Sequence, residues 1–184
     1  MKLPKFLVKL PSDLYFHKFP FFMLYKPNLH EVKGPQVREV LNLIQDGDIL
    51  ARRYDGYMST WFIPGFWSHV GLYYGDNVTH AAGNKGVYKE DVLTFCRTDS
   101  IAILRPKDQT LMSEAIRKAE MYLGVAYDFE FESDNENVYC SEFTDVCYSH
   151  MFNDDYTVVA GQRLVTPDGV FNSSKVELIY EFRG

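Results

Sequence analysis

The residues of this chain whose types and surroundings could do chemistry are Cys140, His69 and His80. Tyr139-Cys140-Ser141-Glu142-Phe143 reads as the first turn of a helix, where unpaired N–H groups and the helix dipole favour a thiolate and depress a thiol pKa. Trp67-Ser68-His69-Val70-Gly71-Leu72-Tyr73-Tyr74 reads as a buried strand with a histidine at its mouth, placed to take and return a proton. Val78-Thr79-His80-Ala81-Ala82 returns antiparallel to it across a Gly75-Asp76-Asn77 turn. With the turn centred on Asp76, residues 71 and 80 fall nearly opposite, and a longer loop or a bulge is expected to bring His80 to the face of His69. One histidine orienting the other completes a set of nucleophile, base and orienter. The chemistry expected is attack of Cys140 on an amide or ester carbonyl, with a thioester intermediate.

Each of these residues has a plainer reading beside the chemical one. A free cysteine is often a small buried hydrophobe, and Cys147, two turns along the same helix on its apolar stripe, is expected in the core, as is Cys96. Cys140, Cys147 and His150 also show a Cys-x6-Cys-x2-His spacing, but a closed zinc site wants four ligands and the Cys147/His150 pair coincides with the packing face. No metal or cofactor is expected. Neither a P-loop nor a dinucleotide fingerprint occurs, so phosphate and nicotinamide chemistry have no support.

Composition narrows the class. At 184 residues, with 46% hydrophobic and 24% charged residues, the chain suits one compact domain. A formal charge of -6 and the lack of dense Lys/Arg runs argue against nucleic acid as a partner. Three cysteines without a CxxC pair suit free thiols in a reducing compartment. Phe6-Leu7-Val8 is broken by Pro4, Lys9 and Pro11 before a secretory or membrane segment could form, so a cytoplasmic protein without an integral membrane segment is expected. Aromatic residues reach 16%, with clusters at Tyr15 to Tyr25 and at Trp61, Phe62, Phe66 and Trp67. The second cluster is either core or an apolar substrate wall, with Trp61 and Trp67 as candidate substrate contacts.

The elements that must position these residues follow from periodicity. Residues 1–33, with four prolines, are expected to be an extended N-terminal arm. Gly34-Pro35 opens a helix with Val37, Val40, Leu41 and Ile44 on one face, closed by Asp46-Gly47. Strands are expected at residues 48–52, 70–74, 78–82, 86–88 and 101–105, with residues 53–66 a lid candidate. Thr110 is the expected cap of a helix with Met112, Ala115, Ile116, Ala119, Tyr122 and Leu123 inward and a Glu114/Lys118 pair outward. Asn137 is the expected cap of the Cys140 helix, whose inner face is Phe143, Val146, Cys147 and His150. Beyond Thr166-Pro167 one strand is expected, at residues 176–180.

Taken together, Gly47-Asp48-Ile49-Leu50, Ser68-His69-Val70-Gly71-Leu72-Tyr73, Gly86-Val87, Tyr127-Asp128-Phe129 and Tyr139-Cys140-Ser141-Glu142-Phe143 make the chain resemble the circularly permuted NlpC-type papain-like hydrolases, the YiiX/YaeF-like family. The resemblance runs from about Asp46 to Tyr180, and the histidine precedes the cysteine as that permuted branch requires. It implies an α+β papain-like fold over residues 1–184, an antiparallel sheet or small barrel packed against helices with the nucleophile at a helix N-terminus. It implies Cys140 as nucleophile, His69 as base and acid, and the polar residue of the following strand as orienter. Bacterial members often have an acid there; this chain has His80, as the similar lecithin:retinol acyltransferase group has a second histidine. Without a carboxylate partner, His69 is expected to titrate lower than in acid-paired relatives. Tyr127 and Tyr139 fall in the neighbourhood of the pocket.

The expected function is a cysteine-dependent amidase or peptidase acting on small peptides such as cell-wall fragments. The alternatives are a lipid acyltransferase or esterase on an acyl-bearing substrate, and a non-catalytic binding module that uses the groove.

Overall fold

The structure, a computed structural model, describes residues 14–16, 23–25, 30–55, 63–83, 85–129, 131, 136–159 and 161–184. The chain divides into two units, Met1–Glu31 and Val32–Gly184. In the first, β1 (Leu14–Phe16) and β2 (Met23–Tyr25) pair antiparallel.

The second unit is built on a six-stranded sheet of β3 (Ile49–Arg53), β4 (His69–Tyr74), β5 (Asn77–Ala82), β6 (Gly86–Asp91), β7 (Ser100–Pro106) and β10 (Val176–Phe182). Its order is β10-β7-β3-β4-β5-β6, and every neighbouring pair is antiparallel. Alternation along the strands loads both faces, because successive side chains point to opposite sides. Ile49, Val70, Leu72, Ala81 and Leu104 share a core with Ala115 of α3 (Met112–Met121), Phe143 and Cys147 of α4 (Cys140–Cys147) and Val170 of α5 (Pro167–Asn172). Leu50, Tyr73, Val78, Ile101 and Ile103 pack on the other face with Val40 of α1 (Gly34–Leu43) and with Val92 and Phe95 of α2 (Val92–Phe95). A two-stranded hairpin, β8 (Tyr156–Val159) with β9 (Gln162–Val165), stands apart from the main sheet.

The start of β3 is tied to β7 by Arg105, whose Nε and Nη2 donate to the two Asp48 carboxylate oxygens at 2.8 and 2.7 Å. Asp48 is buried and also accepts the Gln45 N–H at 2.8 Å, so the charge is paired and hydrogen-bonded where it leaves water.

Several local expectations are corrected. Thr110 does not cap α3: a 3-10 turn at Gln109–Leu111 precedes it, and the Asp108 carboxylate accepts the Thr110 N–H at 3.0 Å. Glu114 pairs with Arg117 at 2.6 Å rather than with Lys118, whose Nζ instead donates to Val146 O at 3.1 Å, near the end of α4. Asn137 does not cap α4, which begins at Cys140, with Glu142 reaching back to accept the Tyr139 N–H at 3.3 Å. His150 lies past the end of that helix and is exposed, not on its inner face. The hairpin β8/β9 and helix α5 had no counterpart in the sequence reading. Thr166-Pro167 does carry a start signal, since Thr166 Oγ1 accepts the Gly169 N–H at 3.0 Å and proline fits the first turn. Of the lid candidate, residues 53–66, the middle half, residues 56–62, lies outside the described residues. Among the described residues no helix is long and apolar enough to cross a membrane.

Candidate active site

A cavity of about 520 Å³ opens at one end of β3, β4 and β5, and both Cys140 and His69 line it. They arrive from different layers. Cys140 is the first residue of α4, which packs on one face of the sheet, while His69 is the first residue of β4 and its ring belongs to the other. The strand ends are where the two layers meet.

Local bonds fix each residue. Ser141 Oγ donates to Val165 O at 2.8 Å, and Thr144 Oγ1 donates to Cys140 O at 3.0 Å, seating the first turn of α4. The β4/β5 ladder runs from Tyr74↔Asn77 to Leu72↔Thr79, and beyond its last pair the Val70 N–H acts on the Cys140 thiol, favouring its charged form. His69 is paired with Arg52 across β3/β4, and the chain entering it is anchored by the Trp67 N–H on Asp168 Oδ1 at 2.6 Å.

His69 Nε2 and His80 Nδ1 are 2.7 Å apart, with the two rings nearly perpendicular at 89°. No bulge or longer loop is needed. The turn is the two residues Gly75-Asp76, both with positive φ, and one step past the last pair, Leu72↔Thr79, His80 lies beside Gly71. A Cβ on Gly71 would lie 2.9 Å from His80 Cβ, so the bare glycine leaves the room in which His80 leans across to His69.

Behind His80 stands a carboxylate that the sequence reading did not find. His80 pairs with Tyr88 across β5/β6, which puts Tyr88 and Glu90 on its face of the sheet. Glu90 Oε2 is 3.3 Å from His80 Nε2, off the axis of a good hydrogen bond, and accepts from Arg52 Nη1 at 2.7 Å. Tyr88 Oη donates to Glu90 Oε1 at 3.1 Å, and the Arg52 guanidinium lies 3.9 Å from the centre of the Phe95 ring. A sequence signal for it exists: the alternation of the Gly86-Val87-Tyr88 strand, carried two residues further, reaches Glu90.

Burial sets the charges. The Cys140 thiol, 5% exposed, is pushed up by burial, while the N–H of Val70, the Ser141 hydroxyl and the N–H groups at the helix start pull it part of the way down. The depressed thiol pKa expected from the helix start is therefore corrected, because loss of hydration outweighs the dipole. His69 is held well below its ordinary 6.5 by burial, then by the Arg52 charge and by His80. His80, fully buried, is lowered by burial against an opposing pull from Glu90. Burial alone would raise Glu90, but His80 and Arg52 overcome it and bring the carboxyl to about 2.

Of the expected substrate contacts, Tyr127 and Tyr139 line the cavity, and burial raises both phenols. Trp67 does not line it: the indole is 1% exposed and packs between Phe66 and Phe171, with ring centres at 5.1 Å on each side. Its apolar neighbours make it core. Trp61 lies outside the described residues. Much of the remaining wall is apolar, with Ile63, Phe129, Phe131, Val159 and Leu164. Cys96 and Cys147 are buried, as expected. Among the described residues, no three His, Cys, Asp or Glu side chains are grouped so as to hold a metal ion.

Comparison with known proteins agrees with this architecture. The model of a family described as permuted papain-like amidase enzymes, YaeF/YiiX, the C92 family, matches residues 43–180. The crystal structure of the metalloprotein YiiX from Escherichia coli O157:H7 superposes with a TM-score of 0.65 at 17% identity, covering 77% of this chain and 99% of that one. No curated protein matches the chain.

Proposed function

This chain belongs to the permuted papain-like amidase family, and on that premise we propose that it hydrolyses amide bonds of small peptides through a thioester on Cys140. The observation that carries the reading is the shared cavity: Cys140 and His69, distant in sequence and carried by different layers, both face it, with His80 hydrogen-bonded behind His69.

The geometry supports a definite course. His80 occupies His69 Nε2, so Nδ1 is the nitrogen left to serve the nucleophile. Burial keeps thiol and imidazole neutral near pH 7, so the proton moves as the new bond forms. The Cys140 S–H proton passes to His69, the sulfur bonds to the carbonyl carbon, and the carbonyl π pair moves to oxygen. N–H groups at the start of α4 meet that oxyanion, where the helix dipole favours negative charge. Collapse breaks the C–N bond and His69 gives its proton to the departing amine. Water then surrenders a proton to His69 while its oxygen attacks the thioester, which releases the acid and restores the thiol.

A second reading, transfer or hydrolysis of a longer acyl group, is favoured by the apolar wall of Ile63, Phe129, Phe131, Val159 and Leu164. Short peptides and p-nitrophenyl acyl esters of increasing chain length separate the two. Peptide cleavage that disappears in Cys140→Ala supports the first; a Cys140-dependent burst with long-chain esters alone supports the second. Equal rates in wild type and Cys140→Ala on both would end the thiol mechanism.

A further inference from the structure

We infer that Glu90 is a positioning residue that fixes the order of protons along the two histidines and so keeps His69 a base toward Cys140. The inference rests on the Cys140/His69 reading above and adds the group that prepares it. Its basis is the row Arg52, Glu90, His80, His69 on one face of the sheet, with contacts of 2.7, 3.3 and 2.7 Å.

Two neutral imidazoles in contact can share their protons in two ways. If His80 carries its proton on Nε2, its Nδ1 lone pair accepts from His69 Nε2–H, and His69 Nδ1 is bare. If His80 carries it on Nδ1, that proton is donated to His69 Nε2, and His69 must hold its own proton on Nδ1. Only the first arrangement can take a proton from sulfur.

Glu90 chooses between them. An N–H at His80 Nε2 faces a carboxylate oxygen at 3.3 Å; a lone pair there faces the same oxygen and is repelled. The carboxylate is itself held in place, by Arg52 Nη1 on one oxygen and Tyr88 Oη on the other. It is ionised at neutral pH, with its carboxyl brought to about 2. Among the described residues, the other titratable or charged groups that act on this row are Lys85 on His80, Tyr54 on Tyr88, and Cys96 beside Arg52. Among the described residues acting on His80, Glu90 is the group that favours a proton on it; burial, Arg52 and Lys85 oppose its charge.

Glu90→Leu tests this, because it removes the oxygen that faces both Arg52 Nη1 and His80 Nε2 and leaves the Arg52 charge, which favours a lone pair on His80 Nε2 and so reverses the row. Long-range 1H–15N correlation on the labelled full chain at pH 8, assigned with His69→Ala and His80→Ala, reads the tautomers without a substrate. Wild type should show both rings protonated on Nε2, and Glu90→Leu both on Nδ1. With p-nitrophenyl acetate as probe, kcat should fall by about 10² to 10⁴ with KM little changed, as for other wrong-tautomer variants. Glu90→Asp should recover part of the loss. A merely structural role would lower the melting temperature without exchanging tautomers. Unchanged tautomers in Glu90→Leu, or kcat within about twofold of wild type while Cys140→Ala is inactive, overturns the inference and leaves the cysteine mechanism standing. Activity surviving in Cys140→Ala overturns that mechanism instead, and the tautomers still decide the placing role of Glu90.

Discussion

His80 reaches His69 because it lies beside Gly71, the position between them on that face of β4 where a side chain would stand in the way. A Cβ there would be 2.6 Å from Val78 Cγ1 as well as 2.9 Å from His80 Cβ. Gly71→Ala should therefore displace His80 and overpack the face. Turnover of p-nitrophenyl acetate should fall by roughly a hundredfold, as a misplaced catalytic group does. Thermal unfolding should report a loss of about 1 to 3 kcal/mol, the usual cost of overpacking. A variant that keeps the wild-type rate would show that the His69/His80 contact does not matter to turnover.

The pH dependence should separate a neutral pair from an ion pair. A protonated His69 cannot accept the thiol proton, so kcat/KM should fall as pH drops, along a limb below the ordinary histidine value of 6.5. Toward high pH it should stay level up to the thiol's own ionisation, which burial moves above 9.0. Iodoacetamide needs the thiolate already formed, so resting Cys140 should react slowly at neutral pH and speed up only in the alkaline range. Rapid labelling at pH 5 would contradict the neutral pair.

Glu142, in the first turn of α4, offers a stability test of the same burial. Folding raises its carboxyl from 4.5 to about 7, with burial the largest cause. Because the folded pKa is the higher one, the native state gains from this proton below about 4.5 and loses that gain as pH rises through 7. Glu142→Gln keeps an acceptor for the Tyr139 N–H and has no charge to bury. After discounting for solvent screening, its advantage over wild type at pH 8 should be about 1 to 2 kcal/mol, or several degrees in Tm, and nearly absent at pH 4.5. An equal difference at both pH values would show that the carboxyl is not raised by folding.

How much of this could be read beforehand follows from how local each cause is. The strand carrying His69, the hairpin to His80 and the helix opening at Cys140 are written in short-range patterns: alternation, a Gly-Asp turn and helical spacing. Helical spacing also placed Cys147 in the core, where it is buried. What escaped needed register across a second hairpin, as with Glu90, or a void, as with Gly71. The raised thiol escaped for a related reason: a helix start is visible in sequence, whereas the walls that exclude water from it are not. Trp67 and Phe66 illustrate the limit for aromatics, since core and substrate wall have the same composition and only Phe171, far along the chain, shows which one Trp67 joins. The short hairpin β8/β9 and helix α5 are held by tertiary contacts more than by their own periodicity.

The central claim is that the sulfur of Cys140 carries the acyl group after taking help from His69. Intact-mass measurement of acid-quenched mixtures with p-nitrophenyl butyrate tests it most directly. One butyryl group should appear on wild type and map to Cys140. It should be absent from Cys140→Ala, and it should form in His69→Ala at least about a hundredfold more slowly. Nitrophenol release that continues unchanged in Cys140→Ala, or an acyl group mapped to another residue during turnover, would contradict the account.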